Sequence, residues 1–319
     1  MERESQDEGQ PPVPSPPRTT AVPTAERPSH YDRRAELIRR TPLTSTGTVR
    51  LTFRVVDDRP FVFFPGYFVS VESAVGAGAD GVGRRHSPYC ILSRPGRAPV
   101  FELIVRLVEG GERSDYLGSL AVGDLLAFRG PGGHSMVPRD PSLDLVLLGT
   151  GVGIGPLLCL TGELLAEGFP RLIRLFWGLR LAEDVCLTDE LDALADDHPS
   201  FAYQISLSQP PPGWSGLQGR LTESVPPLLG NLGRCDYRLV GNGAMIEEMA
   251  TALGDQGVGH EVIAREAYFN GRHQPDPAVL AAIASRFAAT DLLAPSALDA
   301  ADLFHLDRPL GKRTTPPKR

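Results

Sequence analysis

The stretch Asp144-Leu-Val-Leu-Leu-Gly-Thr-Gly-Val-Gly-Ile-Gly-Pro-Leu-Leu158 constrains the fold of this 319-residue chain more than any other. Leu145–Leu148 is an apolar run of strand length. It enters a turn of Gly149, Thr150, Gly151, Val152, Gly153, Ile154, Gly155 and Pro156. Beyond the turn, Leu157, Leu158, Leu160, Leu164 and Leu165 recur at helical spacing. A strand, a glycine turn and a helix start together present free backbone N–H groups to a phosphate. Glycine lets the chain turn tightly and approach a ligand, and a proline in the first helical turn loses no hydrogen bond. The spacing departs from strict G-x-G-x-x-G, because Gly149 and Gly151 fit while the third position falls on Ile154. Such a run also serves as a plain structural turn, so the flanking chain has to decide.

The two flanks differ in period. From Thr46 to Arg129, short alternating or β-branched runs are separated by Gly and Pro turns: Thr46–Val56, Phe61–Glu72 in two pieces around Pro65-Gly66, Pro88–Ser93, Val100–Val108 and Asp124–Arg129. One helical segment, Asp115–Leu120, interrupts them. That texture predicts an antiparallel barrel. From Leu143 onward strands and helices alternate, with strands at 145–148, 172–177, 202–207, 237–240 and 260–264 and helices at 156–167, 187–197, 221–229 and 244–256. Alternation of this kind predicts a parallel sheet covered by helices on both faces. The expected organisation is a disordered segment or arm over 1–40, a barrel over 41–141, an α/β domain over 142–270 and a C-terminal extension over 271–319. Tyr31–Arg40 reads as a short helix or arm, and the extension holds possible helices at 277–290 and 296–304.

A formal charge of −7 argues against general binding to nucleic acid or anionic membranes. Cys90, Cys159, Cys186 and Cys235 are too scattered for a zinc site or an iron–sulfur cluster, so no metal is expected. The N-terminus has no apolar core of a secretory signal, and no membrane span is expected, which makes a cytoplasmic location the default reading.

Several short motifs, in order, carry a resemblance. Pro65-Gly-Tyr-Phe-Val69, Ser87-Pro-Tyr-Cys-Ile-Leu-Ser93, Gly110-Gly-Glu-Arg-Ser114 and Gly130-Pro-Gly-Gly-His134 lie in the first part. Gly149–Pro156, Phe176-Trp-Gly-Leu-Arg180, Gly241-Asn-Gly-Ala-Met-Ile246 and Arg265-Glu-Ala-Tyr-Phe269 lie in the second. Together they resemble the ferredoxin–NADP⁺ reductase superfamily of flavin-dependent NAD(P)H oxidoreductases over roughly 46–269. The resemblance implies an antiparallel flavin-binding β-barrel followed by a Rossmann-like parallel-sheet NAD(P)-binding domain. It implies FAD as cofactor and NADH or NADPH as donor. A hydride would pass to the flavin, and electrons would then pass to a separate acceptor such as ferredoxin or flavodoxin.

By the same resemblance, Arg85, Ser87, Tyr89, Cys90, Ile91, Gly111, Arg113 and Ser114 would hold the flavin. Thr150, Gly151, Gly153, Gly155, Pro156, Arg180, Ser208, Gly241, Asn242 and Met245 would hold the nicotinamide dinucleotide. Cys90, Glu266 and Tyr268 would take part in catalysis, with Tyr268 or Phe269 covering the flavin's second face. Two departures stand out. Cys90 replaces the family's Ser or Thr with a weaker donor. Ser87 replaces an arginine that pairs with the flavin phosphate, which leaves Arg84, Arg85, Arg106 or Arg113 to take its place. An uncharged Gln209 after Ser208 leans slightly toward NADH. A complex-bound electron-transfer subunit and a free-flavin or quinone reductase remain as alternatives.

Overall fold

The computed structural model describes residues 33–74, 84–108, 112–138, 140–230 and 232–268, with the side chains of 74, 84–86, 112–114, 232 and 268 outside that description. The expected N-terminal disorder, most of the glycine–alanine loop before Arg84 and the whole C-terminal extension lie outside the described residues.

The first sheet contains β1 (Arg33–Pro42), β2 (Thr48–Val55), β3 (Phe68–Ala74), β4 (Arg84–Cys90), β5 (Val100–Arg106) and β6 (Leu125–Gly132), in the order β4-β3-β6-β1-β2-β5. Its pairings are antiparallel. The two end strands meet through an Ile91–Leu103 bridge and a hydrogen bond of 2.8 Å from the Leu92 amide to the Glu102 carbonyl, which close the sheet into a barrel. Closure removes the exposed edges that an open sheet would present. Helix α1 (Glu112–Ser119) links β5 to β6. Phe53, Phe61, Phe101 and Phe128 fill the interior, with Phe61 and Phe101 stacked at 5.1 Å.

Residues 33–42 form a barrel strand rather than a helix or arm, so the first sheet begins ahead of position 41. Ala35 and Leu37 point into the core, while Arg33 is buried against Asp57 at 2.8 Å and the carbonyls of Arg59 and Pro60. A run so rich in arginine carries little hydrophobic period, and its inward charge is satisfied only by residues distant in sequence. The Phe61–Phe64 piece is also corrected: Phe61 and Phe63 are buried, but the segment pairs with no strand.

The second sheet contains β7 (Asp144–Thr150), β8 (Ile173–Leu179), β9 (Phe201–Leu207), β10 (Leu217–Gln218), β11 (Cys235–Asn242) and β12 (Ile263–Tyr268), in the order β10-β9-β8-β7-β11-β12. Every pairing is parallel. Helices α2 (Ile154–Ala166), α3 (Thr188–Asp197), α4 (Leu221–Ser224) and α5 (Gly243–Asp255) connect the strands. The expected helix at 221–229 stops at Ser224 and gives way to a 3₁₀ turn at Pro226–Leu228. Pro226 and Pro227 explain the break, since neither supplies a backbone N–H. The last strand starts later than expected because His260–Val262 is a 3₁₀ turn.

Helix α2 lies between the sheet and the barrel. Eleven of its residues are buried, including Pro156, Leu160 and Leu164, as a helix apolar on all sides requires. Leu92 and Ile104 of the barrel are packed into the core of the second sheet, and Cys159 of α2 into that of the barrel.

Candidate active site

The strand order of the second sheet reverses between β7 and β11. A ligand crevice is expected outside the carboxyl ends of strands at such a point. Thr150 ends β7 and Asn242 ends β11, and the Thr150 hydroxyl accepts the Asn242 amide at 2.8 Å. Gly241 has φ +123°, and a side chain there would collide with Thr150. The Asn242 carboxamide oxygen turns the other way and caps α5 through the amides of Ala244 at 2.9 Å and Met245 at 3.3 Å. Beside them, the Trp177 indole donates to the Gly151 carbonyl at 2.8 Å and pins the glycine turn.

The turn divides its labour. Gly151 has φ +55° and open space where a Cβ would stand. No side chain caps the start of α2, and its first turn carries no acid. The Ile154 amide is taken by the Gly151 and Val152 carbonyls, so the amides of the Gly151–Gly153 turn are the ones that suit a pyrophosphate. Gly153 instead lets the turn lie on β11, where a Cβ would stand 2.8 Å from the Val240 carbonyl oxygen. Gly155 faces the barrel, where a Cβ would stand 2.8 Å from Ile104 Cγ2. Pro156 is buried in the first turn of α2, and Met245 points into the core beneath α5.

Farther along the carboxyl edge, Arg180 follows β8 and Ser208 follows β9. The Ser208 and Gln209 amides bond the carbonyls of Leu179 at 3.0 Å and Arg180 at 2.9 Å. The exposed Arg180 guanidinium donates to the Gln209 side chain at 3.2 Å.

The barrel's contribution comes from β4. Tyr89 is half-buried and rests partly on the barrel core. Ile91 is fully buried there, its amide bonded to the Tyr67 carbonyl at 3.0 Å. Between them, the Cys90 thiol donates a hydrogen bond to the Glu266 carboxylate. Cys90 belongs to the barrel and Glu266 to β12, so the contact joins the two halves of the molecule. Glu266 is 1% exposed. In register it lies beside Val240, two residues before Asn242. Residues far apart in the chain therefore meet at one crevice.

Of the proposed replacements for the missing arginine, Arg106 is engaged elsewhere. It bonds Asp184 at 2.8 Å and Thr46 at 2.7 Å, on the seam between the domains. Ser87 is buried, and its hydroxyl has no hydrogen-bond partner among the described residues. Arg85 lies on β4 and Arg113 and Ser114 on α1, with their side chains outside the description; the same holds for Tyr268 on β12. Gly111 and Phe269 lie outside the described residues altogether. Burial pushes the thiol of Cys159 up to about 12 and that of Cys186 up to about 11, so both stay protonated at neutral pH.

Sequence reasoning missed Arg238, which is buried on β11, pairs with Asp236 and donates to the Met136 carbonyl at 2.6 Å. It ties the sheet to the segment that leaves the barrel. Nothing in its local sequence marks it, because the carbonyl it meets is distant in the chain.

The residues present fit two dinucleotides. The Gly151–Gly153 turn lies at the switch point, while Tyr89, the Ser87 hydroxyl, with no partner among the described residues, and Cys90 lie on the barrel side. A closed barrel and a switch-point crevice meeting at one thiol–carboxylate contact define a two-domain dinucleotide oxidoreductase.

Comparison with known proteins agrees. The oxidoreductase FAD-binding domain family matches residues 35–136, and the oxidoreductase NAD-binding domain family matches 147–251. The chain is 34% identical over 180 residues to ferredoxin–NADP reductase B of Sorangium cellulosum (strain So ce56), covering 56% of this chain and 71% of that protein. It is 30% identical over 200 residues to the reductase component of phenol 2-monooxygenase from Pseudomonas sp. (strain CF600), covering 61% of this chain but 55% of that protein. The crystal structure of the Amycolatopsis cytochrome P450 reductase GcoB matches with a TM-score of 0.65 and 26% identity, covering 74% of this chain and 69% of that one. The chain belongs to the ferredoxin–NADP⁺ reductase superfamily. It is an NAD(P)H-dependent flavoprotein reductase that uses FAD and NAD(P)H.

Proposed function

We propose that this protein takes a hydride from NAD(P)H and passes the electrons to a separate acceptor protein of the ferredoxin or flavodoxin kind. The contact between Cys90 and Glu266 carries the reading, because it brings the flavin strand to the end of the nicotinamide sheet. FAD, when bound, supplies the chemistry that accepts a hydride and releases electrons singly. Tyr89 offers a flat face for its ring, and Cys90, whose thiol hydrogen is given to Glu266, would lie beside the reacting edge. Ser87, Arg85, Gly111, Arg113 and Ser114 would hold its phosphates and ribityl chain. Gly151, with the amides that follow it, would hold the nucleotide pyrophosphate, and Arg180 and Ser208 its adenosine end. Glu266 keeps a carboxylate at the junction, where it holds the thiol in place. Tyr268 and Phe269 would close the flavin's second face.

Two observations support an external acceptor. The cysteines in this sequence are too scattered to ligate a cluster, and relatives are named as reductase or electron transfer components of oxygenase systems. The test is the absorption spectrum of the purified chain, with mass analysis of released flavin and anaerobic addition of NADH or NADPH. Bound FAD that bleaches with either nucleotide, and reoxidises on adding ferredoxin or flavodoxin, is expected. A colourless protein that neither nucleotide reduces in the presence of added FAD overturns the reading.

A further inference from the structure

We infer that Gly155 and Ile104 set the distance between the two cofactor-binding halves, and that Gly155 is a positioning residue rather than a nucleotide ligand. The inference rests on the proposed function. Hydride transfer needs donor and acceptor atoms held about 3–3.5 Å apart, and a misplacement near 1 Å can cost about 10²-fold in rate. Here each reactant is assigned to a different sheet, so the spacing is a property of the seam between them.

At that seam α2 lies close against the barrel. A Cβ on Gly155 would stand 2.8 Å from Ile104 Cγ2 and 4.0 Å from Leu92 Cβ. The neighbours on both sides are fixed. The Cys159 thiol, one turn on, donates to the Ser93 carbonyl at 3.2 Å, and Arg94 pairs with Glu163 at 3.0 Å. Ile104 is itself part of the second sheet's core, so it has little room to retreat. The lever arms are short: Leu92 follows Cys90 by two residues on the barrel side, and Gly155 follows Gly153, the end of the Gly151–Gly153 turn, by two residues on the other. A single added methyl therefore separates the flavin strand from the nucleotide turn without touching either ligand's polar partners.

The test is Gly155→Ala in the full chain, with four readouts: flavin content, melting temperature, the split between kcat and KM, and the long-wavelength charge-transfer absorbance of the reduced protein with oxidised nicotinamide. The expected result is full flavin content, kcat lowered about 10–100-fold, KM for the nucleotide within about threefold, and a weakened charge-transfer absorbance. Ile104→Ala in the same chain removes the opposing Cγ2 and is expected to restore the absorbance and much of kcat. Ile104→Phe crowds the contact from the barrel side and is expected to reproduce the loss, which gives a second reading should Gly155→Ala fold poorly. A KM raised about tenfold, with absorbance per bound nicotinamide unchanged and no rescue, assigns Gly155 to the nucleotide and overturns the inference. A lowered melting temperature with kcat and absorbance unchanged makes the contact merely structural and overturns it too. Failure of the unaltered protein to bind flavin or accept a hydride would instead strike the proposed function.

Discussion

Single residues show where long-range partners decide. Arg33 sits almost wholly inside the barrel, over the rings of Phe61 and Phe128, and is bearable there because Asp57 and two carbonyls satisfy its guanidinium. For Asp57, burial alone would raise the carboxyl, but the Arg33 and Arg59 hydrogen bonds outweigh it and hold it down from 3.8 to about 2. A carboxyl depressed in the folded state stabilises the protein fully above its unfolded value. That contribution fades as pH falls from 3.8 toward 2. Asp57→Asn is therefore expected to lower the melting temperature at pH 7 more than at pH 3. The difference should amount to on the order of 1 kcal/mol once solvent screening is allowed for. Equal losses at both pH values would show that the Asp57 charge contributes nothing.

Among the secondary elements, α5 illustrates a start signal that serves the crevice. Asn242 bonds two amides of the first turn while its own amide is held by Thr150. Asn242→Ala is expected to cost about 1 kcal/mol, read from chemical denaturation. Asn242→Asp, which keeps an accepting oxygen, should recover most of the loss. The alternation of strands and helices after Leu143 was legible in the sequence because a buried parallel sheet needs continuous apolar strands between amphipathic helices. The thiol–carboxylate pairing was legible only as two motif positions; their meeting depends on register between β11 and β12 and on domain packing. β1 escaped notice because its inward face carries Arg33. The two-residue β10 was too short to carry a period. Gly155 was legible only as a glycine: a Cβ there would press on Ile104 of the barrel, and a glycine needed for close packing and one needed for a phosphate look identical in a sequence.

At the scale of the molecule, the barrel and the α/β domain are joined by contacts of every kind. Arg106 and Thr46 hold Asp184, Arg50 holds Glu190, Arg238 reaches the Met136 carbonyl, and Leu92 and Ile104 are shared core. Leu187, beside this seam, is the one non-glycine residue with positive φ, +60°, among those described. A branched side chain in that conformation is strained. Replacing Arg106 and Asp184 singly and together by alanine is expected to give a coupling of about 0.5–1 kcal/mol, as for a partly exposed pair. The same variants should still unfold in a single transition, because the shared apolar core remains. Two transitions separating barrel from sheet would show that the charged contacts, and not the core, unite the halves.

The order in which strands are laid down has a consequence for biosynthesis. Domains form from the N-terminal end as the chain emerges. The barrel can close once β6 has appeared, whereas β7 waits for β11 before its second neighbour exists. Glu266 lies on the final described strand, so the partner of the Cys90 thiol leaves the ribosome long after the thiol itself. A nascent or prematurely ended chain can thus carry a finished barrel and the whole glycine turn while still lacking the Cys90–Glu266 contact.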